Sequence, residues 1–428
     1  MTTNITDRTR TELTSLAQGN SISIKSKLFI FGPAIIASVA YMDPGNYATN
    51  IQAGAGYGYK LLWVVVLANL IAILFQALSA RVGIVTGKNL AELSRDHLPK
   101  PLIWVMWVIS EIAAMATDLA EFLGGAIALA LLFDLPLIAG MGITAIITYG
   151  LLLFESKGFR PMELIIGAFV AIIGLCYLAE IFITPVNWGE AGQAILSPSL
   201  PDNAALFIAV GIIGATVMPH AIFLHSGLTQ SRVPTTTTKE KARIVRFSNY
   251  EVVIALAIAG MINMSMVIMA AGAFYPDNMH IAEIETAYQM LTPILGTAAA
   301  VFFLASLLAS GISSSVVGTM AGQMIMLGFL NIRLPLWLRR VITMAPAFVV
   351  VALGVNSTEA LVMSQVVLSI ALPVPMLSLI YFVTRRDLMG SFAITGIIKY
   401  AAYLGASIVL TLNFVLLADV FGITLITY

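Results

Sequence analysis

Apolar positions in this chain fall into long unbroken runs, separated by short polar stretches. The runs lie at roughly 28–53, 61–83, 101–130, 136–154, 163–184, 204–230, 250–274, 293–328, 335–354, 357–384 and 396–420. A helix needs about 20 mostly apolar residues to cross ~30 Å of hydrocarbon, so the pattern predicts about eleven membrane-spanning helices. A membrane barrel would show alternation instead, and strands are not needed to explain any run.

Composition agrees. The chain has 428 residues, of which 59% are hydrophobic and 10% charged, with a mean hydropathy of +0.95. A water-soluble domain carries about 25% charged residues, so most of this surface is expected to meet lipid. Formal net charge is zero, which gives no electrostatic reason to expect a nucleic-acid partner. The single Cys176 cannot form an internal disulfide, and it reads as a small packing residue. The first ~25 residues are polar and lack the apolar core of a signal peptide, so targeting is expected from the first membrane helix.

Basic residues orient the spans. Arg8, Arg10, Lys25 and Lys27 precede the first run; Lys88, Arg95 and Lys100 follow the second; Lys157 and Arg160 follow the fourth. Arg232, Lys239, Lys241, Arg243 and Arg246 follow the sixth, Arg333 the eighth, and Arg385 and Arg386 the tenth. With eleven spans all of these share one side. The opposite loops hold Asp134, Glu190, Asp202, Asp277, Glu283, Glu285 and Glu359, with Lys60 as their one basic residue. The positive-inside rule then puts the N-terminus in the cytoplasm and the C-terminus outside, in a plasma membrane. Thr235 to Thr238 and the basic run after them read as a solvated cytoplasmic linker.

Two runs carry breaks in matching places. The first reads Asp43-Pro-Gly-Asn46, and the sixth reads Ala215-Thr-Val-Met-Pro-His220. Proline lacks an N–H and clashes with the preceding turn, so each helix should unwind in mid-membrane. Freed carbonyls there are tolerated only where they line a cavity or bind something. The breaks are five spans apart. Five is odd, so the second half is inverted relative to the first, as in inverted-repeat transporters. A plain pair of proline kinks is the bland alternative, and the polar residues flanking both breaks argue against it.

Asp43 in mid-membrane is costly unless neutralised, which makes it a functional candidate. It offers a carboxylate, Asn46 an amide oxygen, Ala215 a freed carbonyl and Met218 a thioether. Oxygen donors alone suit magnesium, calcium or sodium; a thioether adds affinity for manganese, iron, cobalt or cadmium.

These residues resemble the Nramp family of metal-ion transporters. The resemblance rests on Asp43-Pro-Gly-Asn46, Tyr57-Gly-Tyr-Lys-Leu-Leu-Trp63, Thr86-Gly-Lys-Asn-Leu-Ala-Glu92, Ala116-Thr-Asp-Leu-Ala-Glu121, Met218-Pro-His220, Leu224-His-Ser-Gly227 and Ser364-Gln-Val-Val-Leu368. It implies an all-α membrane protein with a LeuT-type inverted repeat of five plus five helices, followed by an eleventh. On that plan 1–27 is a cytoplasmic tail, 28–184 the first repeat, 185–203 an external loop, 204–384 the second repeat, and 385–428 the last helix and external C-terminus. It also implies proton-linked uptake of Mn2+ or Fe2+, with Asp43, Asn46, Ala215 and Met218 on the metal. Relatives that take magnesium or aluminium replace the methionine, so Met218 argues against those branches.

Glu111, Asp118 and Glu121 share a face of the third run: at ~100° per residue, 111 and 118 fall about 20° apart and 121 about 60° further round. Three acids so placed should not all be ionised without partners. Arg339 and Arg340 of the ninth run could supply them. With Asp43 and His220 they read as a proton path, although a structural salt-bridge network is the bland alternative. The resemblance favours the path. Gln365 and Asn263 are candidates for closing over the metal, or for helix packing alone. Ser313, Ser314 and Ser315 with Gly311 read as a sodium site of a related fold or as a close helix contact. His225 lies farther along the sixth run, and His97 and His280 read as solvated. The expected activity is symport by a monomer in alternating access, with no cofactor and no enzymatic chemistry. A sodium-coupled organic-solute symporter is the alternative, which Asp43 and Met218 fit poorly; a passive metal channel would share the same ligands.

Overall fold

The computed structural model describes residues 5–20, 23–153, 159–230, 232–233, 235, 237–277, 283–421 and 423. Lys157, Thr236 and His280, named above, lie outside them. Among the described residues there are helices and loops and no strands.

Two short helices, α1 (Ile5–Gln18) and α2 (Ile24–Phe29), precede the first span. That span is interrupted: α3 (Pro33–Val39) tightens into a 3-10 turn at Ala40–Met42, and α4 (Pro44–Tyr57) restarts after Asp43. The next four spans are α5 (Leu62–Thr86), α7 (Lys100–Phe133), α8 (Leu137–Leu152) and α9 (Phe159–Ile183), with the short α6 (Leu90–His97) between the first two. A loop helix, α10 (Trp188–Leu196), leads to the second interrupted span, α11 (Asn203–Thr216) and α12 (Pro219–Gln230). Then come α13 (Thr238–Phe274), the loop helix α14 (Ile284–Leu295), α15 (Thr297–Leu330) and α16 (Leu336–Ala352). The tenth span is α17 (Ser357–Ala371) with α18 (Pro373–Thr384), and the short α19 (Arg386–Met389) precedes α20 (Gly396–Val420).

All eleven runs are therefore helical, and among the described residues eight spans, two of them the pairs α11–α12 and α17–α18 taken together, are long and apolar enough to cross a bilayer. Boundaries shift where capping chemistry overrides hydropathy. The seventh helix starts at Thr238 rather than 250, because Thr237 and Glu240 form a reciprocal capping box ahead of the apolar run. The eighth run begins too early at 293: Gly296, at φ +93°, separates α14 from α15.

Lipid tails are as apolar as the helix surfaces, so close packing of small residues holds such a bundle together. Gly124 of α7 touches Pro44 at the first break: a β-carbon there would lie 2.0 Å from the Pro44 Cβ. Gly311 of α15 is pressed against Gly125 of α7 in the same way, at 2.5 Å from its backbone nitrogen. The outer faces carry bare apolar side chains, among them Ile146, Phe182, Ile397 and Phe414.

Two residues counted above as loop charges are drawn into the protein, Arg160 buried and Arg232 partly so. Arg160 pairs with Glu163 at 2.5 Å, Arg232 with Glu163 at 3.3 Å and with Glu251 at 3.6 Å. The cluster ties down the start of the first span. Glu251 accepts from the backbone N–H of Gly32 (2.6 Å) and Ala34 (3.2 Å), Arg160 donates to the carbonyls of Phe29 and Phe31, and Arg232 donates to that of Ile30. Their burial has a plain cause: an interrupted helix leaves backbone groups that charged side chains can satisfy.

Candidate metal site

Each break is held open by side chains from elsewhere. Asp43 leaves the helix in an extended conformation (φ −75°, ψ 167°) and caps α4, its Oδ1 accepting from the Asn46 backbone N–H at 2.9 Å. Pro44 suits the first position of α4, where no N–H is needed. Two carbonyls freed just before it find partners: Tyr41 accepts from Asn263 Nδ2 at 2.7 Å, and Met42 from the Ser310 hydroxyl at 2.5 Å. Asn263 accepts in turn from Asn50 at 3.0 Å. In the sixth span Val217 departs from helical geometry (φ −106°, ψ 76°), and α12 restarts at Pro219.

The breaks meet at Asn46. Its Nδ2 donates to Asp43 Oδ1 at 2.7 Å and to the Ala215 carbonyl at 3.1 Å, while its Oδ1 accepts from Thr216 at 3.5 Å. Asp43, Asn46, Ala215 and Met218 are all fully buried, and Asp43 Oδ2 has no hydrogen-bond partner. The sequence reading gave Asn46 as an oxygen donor, but here its amide nitrogen points inward. Two acceptors, one from each break, converge on that point, and an amide meets them with N–H groups. Electrostatically this is a place for positive charge.

Gln365 lies over the same point. A β-carbon on Gly45 would come within 1.9 Å of its Nε2, and one on Gly214 within 2.0 Å of its backbone oxygen. Its Nε2 donates to Ser364 at 2.9 Å, and its Oε1 is buried without a partner.

The acids of α7 separate into two groups. Glu111 pairs with Arg339 at 2.6 Å. Asp118 and Glu121 instead face Gly318 of α15, where a β-carbon would lie 3.1 Å from Asp118 Oδ1 and 2.4 Å from Glu121 Oε2. Neither Glu121 oxygen has a hydrogen-bond partner. Arg340 forms no ion pair among the described residues, contrary to the pairing expected for both arginines. Its guanidinium binds Ser315 (carbonyl at 3.2 Å, hydroxyl at 2.9 Å), Thr319 (2.8 Å) and Thr148, because α15 and α8 present oxygens to its planar fork. His220 meets Thr117 of α7 at 3.0 Å through Nδ1, which connects the metal-site helix to the acid-bearing one.

Polar partners that the sequence did not single out are Ser310, Thr117, and Gln76 and Tyr41, which continue a chain from His225 with contacts of 2.9 and 2.6 Å. Their signal was weak, single polar residues within apolar runs. Ser313 and Ser314 donate to carbonyls of their own helix at 2.7 and 2.8 Å. His97 is exposed, as expected; its ring sits edge-on to Phe382, and its Nδ1 lies 3.1 Å from the Leu93 carbonyl.

A helical bundle crossed by two interrupted spans whose breaks meet at buried polar groups is the architecture of a LeuT-type membrane transporter. Mhp1, a nucleobase-cation-symport-1 family transporter, superposes with a TM-score of 0.59 over 90% of this chain and 89% of its own, at 14% identity, a likeness of fold alone. The manganese transporter of Eremococcus coleocola superposes with a TM-score of 0.84 at 34% identity, covering 93% of this chain and 88% of that one. The divalent metal cation transporter MntH of Granulibacter bethesdensis is 63% identical over 422 residues, 98% of this chain and 95% of the relative. That of Acidiphilium cryptum is 64% identical over 399 residues, 93% and 92%. The Natural resistance-associated macrophage protein-like family, Nramp, matches residues 34–419. The chain belongs to the Nramp family.

Proposed function

We propose that the protein imports divalent transition metal ions, Mn2+ or Fe2+ and also Cd2+ or Co2+, into the cytoplasm together with protons. The observation that carries this reading is the convergence of Asp43 Oδ1 and the Ala215 carbonyl, one from each interrupted helix, on one amide group at 2.7 and 3.1 Å. A dication fits such a pair of oxygens. The Asn46 amide turns to offer its oxygen, and Met218, directly before the helix-restarting proline, supplies the sulfur that favours softer ions over Ca2+ and Mg2+. Gln365 closes over the ion, and Asn263 holds the first break in shape. The metal is cargo, and no resident cofactor takes part.

Asp43 gives up a proton as the dication binds. His220 with Thr117, then Asp118 and Glu121, lead it inward beside the Glu111–Arg339 pair, with Arg340 supplying positive charge nearby. One chain holds both breaks, so a monomer suffices in the plasma membrane, its N-terminus cytoplasmic and C-terminus external. Residues 28–184 and 204–384 act as the two inverted repeats, rocking to expose the site to each side in turn.

Metal-competition transport in proteoliposomes tests the ligand set. Calcium and magnesium are expected to compete with manganese better in Met218→Ala than in the intact protein. Unchanged competition would remove the sulfur from the account.

A further inference from the structure

A second buried acid lies away from the metal site and the α7 acids. Glu180 of α9 is fully buried; both its carboxyl oxygens lack a hydrogen-bond partner, and no ion pair reaches it among the described residues. Around it stand Tyr47 of α4 and Cys176 and Tyr177 of its own helix, all close enough for its charge to be felt. The two phenol rings pack edge to face at 5.5 Å, and their buried hydroxyls lie close to each other. Ser306 of α15, itself buried, completes the group. The two unpartnered carboxyl oxygens need an explanation, because buried polar groups are normally paired.

The neighbouring helices supply no counter-charge. The parts of α3, α13 and α15 that pack on α9 here contain no Lys, Arg, Asp or Glu; α1 and the Arg160–Glu163 pair lie at the opposite end of α9. The titratable groups facing Glu180 are thus Tyr47, Tyr177 and Cys176. An ionised carboxylate only accepts, and buried in a membrane it requires a cation. A neutral carboxyl both donates and accepts, which complements two phenols. The oxygens are also too few for an alkali cation, since α9 and α15 are unbroken here and their carbonyls are tied up in helix.

We infer that Glu180 is a second proton-binding site, a carboxyl that stays protonated at neutral pH in a buried polar cluster between α4, α9 and α15. Its depth suggests its use. Glu180 lies one turn from the end of α9, and Tyr47 lies one turn beyond Asp43 on α4, toward the same face of the membrane. The acid therefore sits between that surface and the metal site, as an outer station from which protons are loaded. That use rests on the proton-coupled reading above; the protonation does not.

Infrared difference spectra of the metal-free protein in liposomes at neutral pH separate the two. Wild type minus Glu180→Gln is expected to show the C=O band of a protonated carboxyl, unaffected by sodium or potassium chloride. Glu180→Asp should keep a shifted band, and Tyr177→Phe should move the band without abolishing it, which guards against a glutamine variant that fails to fold. A carboxylate band in place of the acid, conversion by alkali cations, or a band indifferent to Tyr177→Phe would overturn the assignment. In uptake assays Glu180→Gln should lose the stimulation by external acid that wild type shows. Retained stimulation overturns the loading role. Wild-type uptake indifferent to pH overturns coupling and loading together, and leaves the infrared result standing.

Discussion

At the scale of single residues, the account rests on which side chains hold the breaks and which would hold an ion. Asn263 donates to the Tyr41 carbonyl from outside the ligand set, so it orients the break rather than binding metal. Loss of such an outer partner lowers metal affinity about 10–100-fold, and Asn263→Ala is expected to do so in an Mn2+ binding titration while the fold survives. An affinity equal to wild type would assign Asn263 to packing. Gly318 gives a test of the acids. A methyl group there meets Glu121 Oε2 at 2.4 Å, and overpacking of this kind costs about 1–3 kcal/mol. Gly318→Ala should lower the melting temperature modestly and cut proton flux per metal ion, because the displaced acids face the proposed path. Normal proton flux with normal metal uptake would place the path elsewhere.

At the scale of helices, the breaks were legible and their supports were not. Pro44 and Pro219 mark positions where an α-helix cannot continue, a local property that any reader of the sequence can use. The carbonyls freed before Pro44 are satisfied by Asn263 and Ser310, and that of Ala215 before Pro219 by Asn46, all far along the chain, and nothing local reports such partners. Arg160 and Arg232 failed differently. The positive-inside rule counts charge near span ends without regard to burial, so it used them for orientation and missed that they clamp the start of α3. Glu180 escaped notice because one acid near a span's end looks like a loop residue. The clamp leads to a measurable expectation. Glu163→Ala leaves Arg160 and Arg232 without their shared carboxylate, and removing one partner of a buried pair costs about 3–5 kcal/mol. Thermal unfolding in detergent should show a loss of that order; a shift within error would mean the clamp is solvated.

At the scale of the whole molecule, the number of spans and the inversion of the halves follow from hydropathy and the odd spacing of the breaks, and the shared fold with Mhp1 at 14% identity agrees. On the proposed alternating-access mechanism the ion visits one site that both sides can reach, with donors from both halves. Whether protons accompany the metal is open to direct observation: manganese entering liposomes loaded with a pH dye should acidify the lumen, whereas a passive channel would pass metal with no such signal. The central claim is narrower, that sulfur and oxygen donors from both interrupted helices surround one dication. Cadmium X-ray absorption on the purified protein reads this most directly. The expected result is one sulfur neighbour among oxygens in the intact protein, with the sulfur gone in Met218→Ala and an oxygen lost in Asp43→Ala. An all-oxygen shell in the intact protein, or a sulfur signal that survives Met218→Ala, would contradict it.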